Sequence, residues 1–350
     1  MPVSIVVGGQ YGSEGKGKVA HYLARELNAS FAVRCGGPNS GHTVIDEQGN
    51  ARIFQQLPTA SILPDVKLAI CSGSYIDLSI LIREIEETNA RPDRLFIDKD
   101  AVIITDNLKT RELENGLIAR IGSTGSGTGA AVAARTNREK DLLFAKDISE
   151  LKPFINDVPK ILREALDHQE RIIIEGTQGF GLSPLHSRLY PYTTSRDTTA
   201  AAFLGETGLS PLDVDDVVLT IRSFPIRVSG NSGPLDNEID WQTITNENHL
   251  LKNIEERTSV TKHIRRVARF DSGIVIKAVT INRPTKIVLN HIDYISHKYQ
   301  NEFIKNIEKL IYRRIDFIGD SSKRVIPKSN FTSINLAQKS QLPTYERPYV

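Results

Sequence analysis

The sequence predicts an α/β fold with a P-loop-NTPase-like, mostly parallel central sheet flanked by helices. Three observations predict it. Short β-branched runs alternate with helically spaced segments, glycine-rich loops follow several of those runs, and the first such loop joins a strand directly to a helix.

Val3 to Val7 is the first strand, apolar and largely β-branched. Val19 to Leu27 follows with helical spacing, so that Val19, Tyr22, Leu23 and Leu27 share a face. Between them lies Gly8-Gly9-Gln10-Tyr11-Gly12-Ser13-Glu14-Gly15-Lys16-Gly17-Lys18. Glycines let the backbone approach an anion, amides at a helix start point toward it, and Lys16 and Lys18 add positive charge. A phosphate cradle explains two lysines inside the loop; a tight turn alone does not. Gly12 to Lys18 meets the Walker pattern until Val19, where the hydroxyl that would hold magnesium is missing, which disfavours an ordinary P-loop enzyme.

Phe31 to Arg34 predicts a second strand, ending in the loop Cys35 to Thr43 with its three glycines and a proline. A lone histidine is most often structural. His42 becomes a functional candidate because it sits in a glycine loop after a strand, where open α/β sheets place their ligands. Val66 to Ile70, Leu95 to Ile97 and Val102 to Ile104 read as strands, and Ser79 to Glu87 as a helix. The hydroxyl- and glycine-rich stretch Ile121 to Gly129 suits wrapping a phosphate, yet by composition it equally suits a flexible linker.

Arg171 to Glu175 is a strand leading into Gly176-Thr177-Gln178-Gly179, and Tyr190 to Thr199 is a polar loop before a small-residue helix, Ala200 to Phe203. Val217 to Ile221, Ile274 to Val279 and Lys286 to Asn290 read as strands, the last running into His291-Ile292-Asp293. Glu302 to Ile311 is amphipathic at helical spacing. No clear linker interrupts the chain, so residues 1–339 read as one domain and 340–350 as a polar tail.

The chain of 350 residues, 39% hydrophobic and 25% charged, can bury a sizeable core. Its formal charge of +2 and the short cluster Ile264 to Arg269 do not make a nucleic-acid interface; the cluster reads as a solvated face. Cys35 and Cys71 lack metal-ligand spacing and read as core thiols in a reducing compartment. No apolar run is long enough to span a bilayer and no signal-type segment is present, so no membrane partner and a cytoplasmic location are expected.

Together and in this order, Gly9 to Lys18, Gly36 to Thr43, Gly122 to Gly129, Glu175 to Gly179, Tyr190 to Thr199 and Ile292-Asp293 resemble the adenylosuccinate synthetase family, ligases that join aspartate to a purine nucleotide. The resemblance runs from Val3 to Ile326 and implies an adenylosuccinate-synthetase-like fold. It also implies a two-step chemistry, in which purine oxygen 6 attacks the γ-phosphate of a triphosphate and the aspartate amine then displaces that phosphate. By position, Lys16 matches the residue at the transferred phosphate, His42 the catalytic acid, and Gly41, with Ser13, the magnesium site. Ser13, Asn39, Thr124, Arg138, Gln178, Thr194 and Val228 match monophosphate contacts, with Arg138 reaching a partner subunit's site and so implying a homodimer. Gly12, Glu14, Gly15, Lys16, Gly17, Lys18, Gly41, His42, Thr43, Arg265, Asp293 and Gly319 match the triphosphate site. Ser259, Val260, Thr261 and Arg265 match the aspartate loop.

Two departures are informative. Ser13 stands where the family has an aspartate that serves as general base and magnesium ligand, and a serine hydroxyl is a poor base at neutral pH. A shorter, neutral side chain leaves room beside purine position 2, where guanine carries an amino group. That substitution resembles the phage 2-aminoadenylosuccinate synthetases, which implies dGMP, L-aspartate, Mg2+ and ATP or dATP as ligands. In the aspartate loop, His263 stands where an arginine is expected, which weakens a bidentate carboxylate clamp. Asp293 favours a guanine triphosphate, whereas His291 replaces the family's lysine and Asp320-Ser321-Ser322 departs from its last base-contacting loop. Ordinary synthesis from IMP and GTP, and a non-catalytic nucleotide-binding module, are the alternative readings.

Overall fold

The computed structural model describes residues 2–250, 253–258 and 262–331. The central sheet contains β1 (Val3–Gly8), β2 (Phe31–Arg34), β3 (Lys67–Ile70), β4 (Leu95–Asp98), β5 (Ile155–Asn156), β6 (Ile172–Glu175), β7 (Val214–Arg222), β8 (Lys286–Asn290), β9 (Phe317–Gly319) and β10 (Val325–Pro327). Their order is β10-β9-β8-β7-β1-β6-β2-β3-β4-β5, and all pairings are parallel except the β9–β10 hairpin.

Strand β1 is central because its side chains can be buried on both faces. Val3, Ile5 and Val7 join Phe31, Ile172, Ile174 and Leu219 on one side, while Val6 joins Ala32, Leu68, Ile173 and Val218 on the other. The four apolar β1 side chains are at most 1% exposed, each contributing about 1.5–3 kcal/mol through burial. The first face is covered by helices Val158–Asp167, Ala200–Thr207, Ser272–Asn282 and His297–Ile311; the second by helices Lys16–Glu26 and Leu78–Thr88. A small separate core around Tyr75, Val102, Leu108 and Ala131 supports helices Asp106–Glu114 and Thr128–Asn137.

This topology sends the carboxyl ends of β1, β2, β6, β7 and β8 to one edge, where each runs into a loop. Open α/β sheets bind ligands at that edge. Two readings of the sequence are corrected there and nearby. Ile274 to Val279 is helical, within Ser272–Asn282, because Asp271 caps the amides of Gly273 and Ile274 and burial falls on Ile274, Val275 and Ala278, one helical face. Ile264 to Arg269 is no solvated face: Arg266–Ala268 pairs with Ile226–Arg227 and Glu238–Ile239, and Arg265, Arg266 and Arg269 bind Glu256, Glu238 and Glu247. Val102–Ile103 pairs with Tyr75–Ile76 outside the central sheet. The tail 340–350 lies outside the described residues.

Candidate active site

A cavity of about 2060 Å³ opens at this edge. It gathers Gly12, Ser13, Gly15, Lys16, Gly17, Lys18, Asn39, Gly41, His42, Thr43, Thr124, Gln178, Thr194, Val228, Arg265 and Asp293 from segments distant in sequence, and His263 with them. Gly319 lies beside it, where an added Cβ would meet Asn290 and the Lys18 ammonium. Arg138, exposed at the end of helix Thr128–Asn137, does not line the cavity of its own chain. Ser259, Val260 and Thr261 lie outside the described residues.

The first loop is held from within. Glu14 is fully buried; one carboxylate oxygen accepts from the amides of Gln10 and Gly12, the other from Lys16 Nζ at 2.7 Å. Its side chain therefore organises the loop, and any contact from Glu14 to a ligand falls to its backbone. Gly15, at φ 87°, turns the chain into helix Lys16–Glu26, whose amides face the cavity end. Lys18 reaches the other way, to the Ser321 carbonyl at 2.8 Å, and burial pushes its ammonium down to about 8. Ser13 is exposed at φ 56°, in the left-handed region, and its carbonyl accepts from Arg222 Nη1 at 2.8 Å.

His42 faces the same space from the strand His42–Ile45. Its Nδ1 lies 2.5 Å from Glu175 Oε1, and Glu175 also accepts from Arg34 Nη1 at 2.8 Å and from the Thr59 amide and hydroxyl. Burial would raise the Glu175 carboxyl, but His42, Arg34 and Thr59 outweigh it and hold it at about 2. An ionised Glu175 is an acceptor only, so Nδ1 carries a proton and Nε2 is left for a ligand. Burial, reinforced by Arg34, pushes His42 itself down to about 4.

Glu112, 2% exposed, anchors the loop that composition left open between phosphate clasp and linker: it accepts from Ser123 Oγ and the Gly129 amide, while Thr128 and Gly129 begin the next helix. The loop is a fastened structure. On the opposite side Glu256 is a hub. It binds Arg222 through both carboxylate oxygens, Arg265 Nη1 at 3.1 Å and Tyr294 Oη at 2.9 Å. Burial would raise this carboxyl, yet Arg222, His291 and Arg265 hold it well below the usual range. Arg265 thus spends one nitrogen inside the protein.

Sequence reasoning missed Glu175, Arg222, Glu256 and Glu112 as organisers. A signal existed for two of them. Glu175 and Arg222 are charges that close the mainly apolar stretches 172–174 and 217–221, and such charges are costly to bury unless paired.

Magnesium is implied by the resemblance, and the donors present suit it: Ser13 and Gly41 bring neutral, hard oxygen donors to the cavity that holds Lys16. Mg2+ ordinarily binds through one or two carboxylates, waters and substrate phosphates, so with Ser13 and Gly41 as neutral donors the anionic charge would come from the substrate phosphates.

A glycine loop between β1 and a helix, with a histidine held by a buried glutamate across one cavity, gives this α/β protein an arrangement suited to a phosphorylated ligand and an imidazole beside it. The family model described as adenylosuccinate synthetase matches residues 5–145 and 143–300. The adenylosuccinate synthetase of Methanococcus aeolicus is 36% identical over 332 residues, covering 93% of this chain and 94% of that one; that of Methanocaldococcus jannaschii is 38% identical over 323, covering 90% and 89%. Among solved structures, the succinoaminodeoxyadenylate synthetase of cyanophage S-2L, described as bound to dGMP and dATP, superposes with TM-score 0.79 at 28% identity, covering 93% of this chain and 95% of that one. Adenylosuccinate synthetase from Plasmodium falciparum shares the fold, with TM-score 0.81 at 20% identity over 94% and 100%. The chain belongs to the adenylosuccinate synthetase family, which are carbon–nitrogen ligases. Among the described residues no helix is long and apolar enough to cross a membrane.

Proposed function

We propose that this ligase condenses dGMP with L-aspartate, driven by ATP or dATP, to give N6-succino-2-amino-2'-deoxyadenylate. The observation that carries the reading is Ser13: it lines the cavity, exposed and uncharged, inside a loop that keeps its glycines and Lys16. An aspartate there would crowd the 2-amino group of guanine, whereas the shorter serine leaves space beside purine position 2. The solved phage enzyme at 28% identity, bound to dGMP and dATP, supports the same direction.

In this mechanism the N1 proton of dGMP passes to solvent as oxygen 6 attacks the γ-phosphorus, the bond to the β-γ bridging oxygen breaks, and a 6-phosphoryl nucleotide and a nucleoside diphosphate result. Lys16 and the helix amides stabilise charge on the transferring group. Mg2+, when bound near Ser13 and Gly41, supplies charge neutralisation to the phosphates. His42 faces oxygen 6 through Nε2. Because the Nδ1 proton is donated to ionised Glu175, neutral His42 would offer a bare Nε2, so donation from Nε2 requires the imidazolium. The charge of the incoming triphosphate favours that form. The aspartate amine then attacks carbon 6 and inorganic phosphate leaves. Thr124, Gln178 and Thr194 hold the monophosphate, Arg265 takes an aspartate carboxylate, and Arg138 completes the site of the other subunit in a homodimer. Asp293 and Gly319 border the triphosphate base.

A second reading, ordinary synthesis from IMP and GTP, is favoured by the names of the archaeal relatives at 36–38% identity and by Asp293. Offering dGMP and IMP side by side tests the two: the first reading predicts product from dGMP, and product from IMP alone overturns it.

A further inference from the structure

We propose that Cys35, Cys71, Glu206 and Ser74 form a binding site for a thiophilic divalent cation of the zinc class, separate from the nucleotide cavity. Cys35 and Cys71 follow β2 and β3, adjacent parallel strands whose last paired residues are Arg34 and Ile70, so the two cysteines stand side by side at the carboxyl edge. Both are free and fully buried. Their sulfurs are 3.8 Å apart, and a carboxylate oxygen of Glu206 lies within 4.8 Å of both. Spacing along the sequence concealed this group, because its members come from two strands and a helix.

The dimensions suit a metal. Tetrahedral zinc with metal–sulfur bonds near 2.3 Å has a sulfur–sulfur edge of about 3.8 Å and a sulfur–oxygen edge of about 3.6 Å. Ser74 Oγ stands 3.4 Å from Cys71 Sγ and 3.2 Å from the Arg34 carbonyl, to which it donates, leaving oxygen lone pairs for a fourth position. Two thiols packed as plain core would explain their burial. They would not explain why the same glutamate, Glu206, has a buried carboxylate oxygen, Oε2, with no hydrogen-bond partner. The other oxygen, Oε1, accepts from Arg196 Nη1 at 2.7 Å, and Arg196 also donates to the Gly73 carbonyl. Charge closes as well. Two thiolates and a carboxylate carry three negative charges, and a divalent cation with Arg196 carries three positive ones. Binding displaces the two thiol protons to solvent, with no change of oxidation state.

The test is elemental analysis of the full chain produced with zinc present, followed by replacement with Co2+ under reducing conditions. The site predicts one zinc per chain, and a cobalt form with tetrahedral visible bands and a thiolate charge-transfer band. Cys35→Ala and Cys71→Ala each lose the metal while retaining the wild-type circular dichroism. Glu206→Gln keeps the thiolate band with affinity lowered about tenfold or more. Zinc far below one equivalent, a cobalt form without the thiolate band, or full zinc retention in folded Cys71→Ala each overturns the proposal. The wild-type cobalt spectrum decides alone if the variants do not fold.

Discussion

At the scale of single residues the account rests on Ser13, His42 and Glu175. Ser13→Asp restores the family's carboxylate at this position, and the expected outcome is a shift of the dGMP-to-IMP ratio of kcat/KM toward IMP by at least about tenfold. His42→Asn is expected to lower kcat by about 10²–10⁴ with a much smaller effect on KM, measured with saturating triphosphate. His42 also makes stability depend on pH. Its folded value of about 4 lies below the ordinary 6.5, so between these values the unfolded chain binds more protons and stability rises with pH. Urea unfolding should therefore show a loss of up to about 3 kcal/mol from His42 as pH falls through that window, flattened in His42→Asn. An unchanged slope in that variant contradicts burial of neutral His42.

At the scale of elements, the loops are held by buried carboxylates that accept from backbone and arginine donors. Glu256 is the strongest case, since Arg222 is fully buried and also fixes the Ser13 carbonyl. Glu256→Gln is expected to destabilise by about 3–5 kcal/mol in denaturant unfolding, because it leaves the Arg222 charge uncompensated; a loss under about 1 kcal/mol would show that the hub is solvated. The strands of the sheet were largely legible, as Phe31–Arg34 and Lys286–Asn290 illustrate, because short β-branched runs bounded by turns admit few other readings. The helix Ser272–Asn282 was not. A run of β-branched residues buried on one face has no alternation to separate helix from strand, and Asp271 was the remaining local clue. Phosphate loops announce themselves by glycine and lysine; carboxylates such as Glu256 become meaningful only when the fold brings arginines to them.

For the whole molecule, one mostly parallel sheet collects loops from distant parts of the chain around one cavity at a single edge. Arg138 is exposed and does not line its own cavity, and the proposed dimer gives it to a neighbouring subunit. Mixing inactive Arg138→Ala and Lys16→Ala chains under exchange conditions is expected to restore roughly a quarter of wild-type activity, since a mixed dimer holds one intact site of two; no recovery despite subunit exchange contradicts a shared site. The central claim, a changed purine substrate, is tested most directly by one assay. Purified protein is given L-aspartate, Mg2+ and either ATP or dATP, with dGMP or IMP in parallel, and the succinylated nucleotide is identified by mass. The 2-amino succinyl product is expected from dGMP, with little or none from IMP; product from IMP with none from dGMP contradicts a changed substrate.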